Sequence, residues 1–166
     1  MSSNKATWRN RPNKAMPFFH MQSFADSHES RLHFHLKQMD TPTKTSPEDV
    51  MLQPYFPDTP IMRYTKARYY DRIRVIDSQV GKIVNQLKED GILEDTFVFY
   101  FVDHGGVMPR SKGYAYESGL HVPLVVRIPE NFKKLIDHKR GTRTNGFVSF
   151  IDFGPTVLNL ASISVH

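Results

Sequence analysis

The sequence FVFYFVDHGGVMPRSKGYAYESGLHVPLVVR, residues 97–127, contains two apolar segments separated by a polar loop. Residues 96–102 form a continuous apolar run, which predicts a strand covered on both faces, as in a central parallel sheet. Residues 122–128 predict a second such strand, with Pro123 at its start because proline cannot donate to a sheet ladder. The loop between the two segments carries Asp103, His104 and Lys112. Because ligands of open α/β sheets bind beyond the carboxyl ends of strands, this loop is a candidate functional site.

A long helix is predicted before the first of these strands. Thr59 is a suitable N-cap, Pro60 suits the first helical position, and Gly91 suits a left-handed C-cap. Apolar residues recur every three or four positions, as expected for one face of a packing helix. These residues are Tyr69, Ile73, Ile76, Val80, Ile83 and Leu87.

The remaining segments give weaker signals. Residues 17–23 (PFFHMQS) predict a short strand, and residues 33–60, with five prolines, predict a long irregular excursion. A short helix is predicted over residues 130–137, and another is predicted to begin near Pro155. The alternation of strands and helices predicts an α/β fold.

Composition limits the class of protein. The 166 residues suffice for one domain, and the hydrophobic content of 39% argues against disorder. The mean hydropathy of −0.46, together with the lack of a run of roughly 20 apolar residues, argues against a membrane span. The absence of cysteine excludes disulfide and thiolate chemistry. Residues 1–19 are polar and basic, so we do not expect a signal peptide there.

The net charge of +5 suits anionic ligands, but the basic residues are scattered along the chain. We therefore do not expect nucleic acid as a partner.

The loop residues have a chemical interpretation and a plainer one. A carboxylate and an imidazole held between a strand and the permissive Gly105 and Gly106 can present two ligands to one divalent cation. Lys112 can then neutralise an anionic substrate in the same pocket. Alternatively, Asp103 only caps a turn and His104 is an exposed loop residue.

Five other residues near these segments have a weaker claim to function. His33 and His35 have a spacing that can bind metal, but a solvated or packing role is favoured. Tyr116, Glu117 and His121 are interpreted as structural.

Four blocks of the sequence resemble the sulfatase family, in family order, from about residue 17 to residue 165. They are PFFHMQSFADSHESR, the segment from YFPDTP through the long helix to FVDHG, DHGGVMPRSKGYAYESGLHVPLVVR, and FVSFIDFGPTVLNLASISV. Within the family, the sequence is similar to bacterial relatives of heparan N-sulfatase. The resemblance implies an alkaline-phosphatase-like α/β sandwich with a mostly parallel central sheet, incomplete in this chain.

The resemblance also implies roles for individual residues. Asp103 and His104 match metal ligands, with Ca²⁺ as the expected cation and Mg²⁺ as the alternative. Lys112 matches a lysine that contacts the sulfate, and His28 matches a histidine that faces the sulfate ester and helps to protonate the leaving group. The implied activity is hydrolysis of sulfuric esters or sulfamates, with sulfated carbohydrates as substrates. Members of the family usually work outside the cytoplasm.

Two family features are missing from these 166 residues. The family's formylglycine nucleophile arises from cysteine or serine in a C/S-x-P-x-R motif, and the sequence contains no such motif. The strand with an Asp-Asp pair that supplies the other metal ligands is also absent. We therefore expect residues 1–166 to form a partial sulfatase domain that lacks the nucleophile region and the C-terminal subdomain. Alone, such a chain is expected to be inactive and to self-associate, because central strands would become exposed edges.

Two alternatives remain from the sequence. One is a related metal-dependent phosphoryl hydrolase that uses an Asp-His pair at the same strand end. The other is a noncatalytic, truncated sulfatase-like module that binds anionic glycans through its basic side chains. Oligomeric state and substrate identity do not follow from the sequence.

Overall fold

The computed structural model describes residues 6–163, which form two compact units. The first unit extends to Phe132 and contains helix α1 (Pro60–Glu89), strand β1 (Val98–Phe101), helix α2 (Glu117–Leu120) and strand β2 (Leu124–Arg127). The second begins at Lys133 and contains helix α3 (Phe153–Leu160). The described residues also contain short 3₁₀ segments, which are Trp8–Asn10, Glu29–Arg31, Leu36–Asp40, Leu93–Asp95, Glu130–Leu135 and Phe150–Asp152. Among residues 6–163, no helix has the length and hydropathy needed to cross a membrane.

Helix α1 begins and ends where the sequence predicts. The Thr59 hydroxyl accepts a hydrogen bond from the Met62 amide at 3.3 Å, and Pro60 occupies the first turn. At the other end Gly91 has φ +70°, a left-handed conformation that costs glycine little. The predicted cap residues are therefore confirmed.

The predicted stripe of α1 is only partly covered. Ile76 and Leu87 are buried, whereas Ile73 is exposed. Toward the N-terminus of the helix, Tyr64, Lys66 and Ala67 are also buried. The irregular segment before the helix covers part of this face of α1.

That irregular segment is held by side chains of α1. The Asp71 carboxylate accepts hydrogen bonds from the Lys44 amide (2.7 Å), the Thr45 amide (2.9 Å) and the Thr45 hydroxyl (2.8 Å). The Tyr64 hydroxyl donates to the Thr41 carbonyl at 3.1 Å. As predicted, the only regular structure described between residues 33 and 59 is the 3₁₀ turn Leu36–Asp40.

Strands β1 and β2 form a two-stranded antiparallel sheet, with Val98 opposite Arg127 and Phe101 opposite Leu124. Both strands occur where the sequence predicts, but the pair is not parallel, which differs from the expected mostly parallel sheet. The prediction that both faces are covered is also wrong for the described residues. Phe101 is 42% exposed and Val125 58% exposed. Apolar runs indicate strands, but burial depends on neighbouring elements that a run itself does not specify.

Two other predictions need correction. Residues 17–23 form no strand. Phe18 and His20 instead pack against the buried Trp8, and their ring centroids lie 6.1 Å and 5.1 Å, respectively, from that of Trp8. The helix predicted over 130–137 is a 3₁₀ segment, Glu130–Leu135. The helix predicted near Pro155 is confirmed as α3.

Candidate active site

The end of strand β1 positions the predicted acid and histidine. Asp103 and His104 follow the strand within two to three residues, and the Asp103 side chain is 86% exposed. The His104 Nε2 and Asp103 Oδ2 atoms lie 3.5 Å apart. The other ring nitrogen of His104, Nδ1, lies 2.7 Å from the Gly105 carbonyl oxygen. If Nδ1 donates this hydrogen bond, the Nε2 lone pair is directed toward the side where Asp103 lies.

Close backbone contacts fix the loop after His104. A Cβ atom on Gly105 would lie 1.9 Å from the Ser118 carbonyl oxygen, so only glycine fits there. The Gly105 amide donates to the Gly119 carbonyl at 3.0 Å, and the Ser111 hydroxyl donates to the Ser118 carbonyl at 2.6 Å. The Lys112 amide donates to the Gly106 carbonyl at 2.9 Å, which holds the lysine backbone beside the glycine pair.

Lys112 meets a segment that lies far away in the sequence. Its Nζ atom lies 3.2 Å from the Glu29 Oε2 atom. The Lys112 ammonium, which donates this hydrogen bond, lowers the pKa of the Glu29 carboxyl. Glu29 directly follows His28, so the contact brings the predicted histidine segment to the lysine loop.

His28 caps the short 3₁₀ turn Glu29–Arg31. Its Nδ1 atom lies 2.9 Å from the Ser30 hydroxyl oxygen and 3.3 Å from the Ser30 amide nitrogen. Because the amide is a donor, Nδ1 serves as an acceptor, which leaves a proton on Nε2 in the neutral ring. His28 is exposed, and Nε2 is therefore the ring atom that can donate a proton to a ligand.

The two metal-ligand candidates fit part of a cation site. Ligand atoms of Ca²⁺ lie about 2.3–2.6 Å from the ion, so two ligands at a right angle are about 3.5 Å apart. The separation of Asp103 Oδ2 from His104 Nε2 has this size. The Asp103 carboxylate is the oxygen ligand that Ca²⁺ prefers, and the His104 nitrogen is a less usual ligand for it. However, Ca²⁺ takes about six to eight ligands, and residues 6–163 contain no group of three or more His, Cys, Asp or Glu residues that could hold a metal. Asp103 and His104 are therefore suitable as two ligands of a larger set.

An open cavity of about 440 Å³ borders these segments. Glu29, His33 and Thr65 are its polar lining residues, and apolar side chains supply the rest. The apolar lining comes from Leu32, Phe34, Ile61, Met62, Val107, Met108 and Pro109. The cavity thus links the segment that carries His28 to the loop that carries Lys112.

Other side chains singled out from the sequence have local partners. His121 Nδ1 lies 2.7 Å from Glu117 Oε1, one helical turn away. The His35 amide donates to the Gln38 side chain at 2.8 Å. The Tyr116 ring contacts the guanidinium group of Arg110, six positions earlier in the same loop.

Sequence reasoning missed Glu29 and Arg110. Glu29 lies 83 positions from Lys112, and no local pattern signals a contact over that distance. Arg110 stands out only through its position two residues before Lys112 in the same loop.

Comparison with known proteins identifies the family. The model of the sulfatase family matches residues 6–163. The ulvan-active sulfatase of Formosa agariphila is 31% identical over 191 aligned positions, which cover 96% of this chain and 31% of that protein. The human N-sulphoglucosamine sulphohydrolase is 32% identical over 123 positions, covering 74% of this chain and 24% of that protein. An arylsulfatase of Clostridium perfringens is 33% identical over 108 positions, covering 63% and 22%. The chain belongs to the sulfatase family, as the resemblance of its four blocks predicted.

The chain spans about a third or less of the length of these relatives. The family assignment implies an α/β fold of the alkaline-phosphatase type. The helices and the small sheet of the described residues are consistent with part of such a fold.

Proposed function

We propose that this chain is part of a metal-dependent hydrolase of sulfuric esters or sulfamates that acts on sulfated sugars. The observation that carries the proposal is the contact of Lys112 with Glu29, which joins the His28 segment to the loop of Asp103 and His104. Relatives named as an ulvan-active sulfatase and an N-sulphoglucosamine sulphohydrolase support sugars as the substrate class.

In this proposal, each of the four predicted residues has a separate task. Asp103 and His104 supply two ligands to a cation, Ca²⁺ or alternatively Mg²⁺, which when bound would neutralise charge on the sulfate group. Lys112 contacts the sulfate oxygens, and a positive charge there stabilises the negative charge that develops as the ester bond breaks. His28 donates a proton from Nε2 to the leaving oxygen or nitrogen of the sugar.

The proposal assigns the remaining machinery to the rest of the domain. Covalent sulfuryl transfer needs a nucleophile, and the sequence contains no C/S-x-P-x-R motif for a formylglycine. The share of the relatives that this chain covers supports a partial domain, with further metal ligands and further strands of the central sheet contributed elsewhere. Those strands would pair with the edges of β1 and β2 and give the sheet its mostly parallel character.

The test is substitution of Asp103 in a protein that carries these residues together with the rest of a sulfatase domain. Asp103→Ala should reduce metal-dependent hydrolysis of a sulfated sugar by at least about a hundredfold, because it removes a cation ligand. Glu117→Ala is the matched control, since Glu117 is also an exposed carboxylate of this region and pairs only with His121 among the described residues. Full activity of Asp103→Ala, with unchanged circular dichroism, would refute the ligand assignment.

Measurements of heparin binding and of phosphate-ester hydrolysis on the same protein separate the alternatives. A noncatalytic glycan-binding module would show salt-sensitive heparin binding that Asp103→Ala leaves unchanged, and no hydrolysis. A phosphoryl hydrolase would hydrolyse phosphate esters in preference to sulfate esters.

A further inference from the structure

Arg110 belongs to the same loop as Lys112, and its side chain lies over two exposed tyrosine rings. Its guanidinium carbon is 4.9 Å from the centroid of the Tyr55 ring and 5.4 Å from that of Tyr116. Tyr116 in turn stacks on Tyr114, with centroids 6.2 Å apart and planes inclined by 28°. The cluster joins the irregular segment before α1 to the loop between β1 and β2.

The guanidinium group keeps its hydrogen-bonding capacity. Within residues 6–163 the guanidinium group lies over the two rings, and no side chain or carbonyl accepts a hydrogen bond from it or forms an ion pair with it. A guanidinium carries five N–H donors in a planar fork that matches a sulfate or carboxylate group. Arg110 is exposed, so an anion from solution can reach these donors.

The backbone holds Arg110 in place at an energetic cost. Its φ angle is +62°, in the left-handed region that residues other than glycine seldom adopt. The Ser118 hydroxyl donates to the Arg110 carbonyl at 2.6 Å, which ties this turn to helix α2. Such a conformation persists only where its surroundings fix it. The position of the guanidinium is therefore set by the loop as well as by the two rings.

The tyrosines supply the second half of a ligand site. Tyr55, Tyr114 and Tyr116 are 40%, 61% and 49% exposed, so ring surface is available beside the arginine. The apolar face of a sugar ring packs on an aromatic ring, and tyrosine adds a hydroxyl that can bond to the sugar. Exposed rings beside an unpaired guanidinium thus match a sugar that carries an anionic group.

We propose that Tyr55, Arg110 and Tyr116 form a subsite for a sulfated or uronic sugar unit of the substrate chain, separate from the unit at Lys112. This inference rests on the proposed function and names a specificity determinant for it. Arg110 binds the anionic substituent through two parallel hydrogen bonds, and the tyrosines bind the ring. The subsite favours oligosaccharides over isolated sulfated monosaccharides.

The test measures binding to the chain by isothermal titration calorimetry, with a sulfated tetrasaccharide prepared from heparin and with EDTA present. Arg110→Ala should weaken binding about tenfold, because a charge-assisted bidentate contact is lost. Tyr116→Ala should weaken it several-fold, whereas Tyr116→Phe, which keeps the ring, should remain within about twofold of the unchanged protein. Arg143→Ala removes one positive charge from an exposed position in the second unit and serves as the control.

Three results would overturn the subsite. They are an effect of Arg110→Ala no larger than that of Arg143→Ala, the absence of measurable binding by the unchanged protein, and equal competition by single-stranded DNA, which would indicate general polyanion binding. Circular dichroism and the thermal midpoint verify folding of each variant. Should Arg110→Ala fail to fold, Arg110→Lys keeps the charge without the planar fork and should still weaken binding at least threefold.

The subsite and the proposed function can fail separately. Because the calorimetry is done in EDTA, the loss caused by Arg110→Ala should occur equally in the Asp103→Ala background. Loss of hydrolysis in Asp103→Ala with no binding defect in Arg110→Ala refutes the subsite alone. The reverse pattern refutes the assignment of Asp103 and leaves the subsite standing.

Discussion

Lys112 and Glu29 form an ion pair across 83 positions of sequence, with Nζ and Oε2 3.2 Å apart. The pair gives the proposed sulfate-contacting lysine a carboxylate partner within the chain. The lysine ammonium has three N–H donors, so a sulfate group can bind beside Glu29, but it then competes with the negative charge of that carboxylate. The two side chains are partly exposed, so the competition is sensitive to salt.

Glu29→Gln should increase the affinity of the chain for inorganic sulfate by roughly two- to fivefold at low ionic strength, because the competing charge is removed. Calorimetric titration at pH 7 measures the change. Glu117→Gln, which alters an exposed carboxylate paired with His121, should leave sulfate affinity unchanged. An equal gain in both variants would show that only net charge matters.

The Glu29 pair should also make sulfate binding depend on pH. Lys112 lowers the pKa of the Glu29 carboxyl in the folded chain, so the stability that the pair contributes is present above the ordinary pKa of the carboxyl. It is lost as the pH falls through the lowered pKa. Over the same acidic range, sulfate affinity should rise in the unchanged protein and stay flat in Glu29→Gln. A parallel rise in both proteins would assign the effect to other groups.

Gly105→Ala should lower the free energy of unfolding by about 2 kcal/mol, because the added Cβ would lie 1.9 Å from the Ser118 carbonyl oxygen. Gly81→Ala is the matched control. Gly81 lies within α1, and a Cβ added there would meet nothing within 4 Å, so alanine should raise stability by about 0.5–1 kcal/mol. Urea denaturation measures both values. Equal effects at the two positions would mean that the loop yields to the added methyl group.

The sequence predicted features that depend on nearby residues. Thr59, Pro60 and Gly91 set the ends of α1 through local backbone chemistry, and the strand positions followed from apolar runs. Burial of the strands was predicted wrongly because it depends on which elements pack against them. Asp103 and His104 lie just beyond the end of β1, as the apolar run before them predicts, and their role as metal ligands stays a prediction.

Contacts between segments that lie far apart in the chain could not be predicted from the sequence. The partner of Lys112 is Glu29, and one of the two rings under Arg110 belongs to Tyr55. Both contacts depend on how the chain before α1 folds back toward the loop after β1. That path is set by side-chain hydrogen bonds such as those of Asp71, which carry no periodic signal.

Lys66 should make stability depend on pH in the alkaline range. It is 6% exposed, lies over the rings of Phe56 and Tyr70, and burial lowers its pKa. The unfolded chain therefore binds more protons between the lowered pKa and the ordinary value of lysine, so this group makes the protein more stable as pH rises through that window. Lys66→Met should remove this rise.

The measurement for Lys66 is urea denaturation from pH 7 to pH 10. The unfolding free energy of Lys66→Met should exceed that of the unchanged protein by about 1 kcal/mol at pH 7, and the difference should shrink as pH rises. Lys82→Met, at an exposed position of α1, should give no such trend. A constant difference across the range would contradict the prediction.

Asp71→Ala should loosen residues 41–58, because three hydrogen bonds to one carboxylate are lost. We expect a loss of about 1–3 kcal/mol in unfolding free energy and several-fold faster cleavage of this segment by trypsin or thermolysin. Asp77→Ala, at an exposed position of the same helix, is the control. Unchanged cleavage in Asp71→Ala would mean that other contacts suffice to hold the segment.

The hydrogen bonds from Gly105 to Gly119 and from Ser111 to Ser118 have an entropic consequence. A loop of this length would ordinarily lose conformational freedom when a ligand binds, at a cost of about 1–2 kcal/mol for each backbone residue that becomes ordered. Here the chain is ordered by its own contacts during folding. Less of the binding free energy of an anionic ligand is then spent on ordering the loop, so even a few polar contacts give measurable affinity.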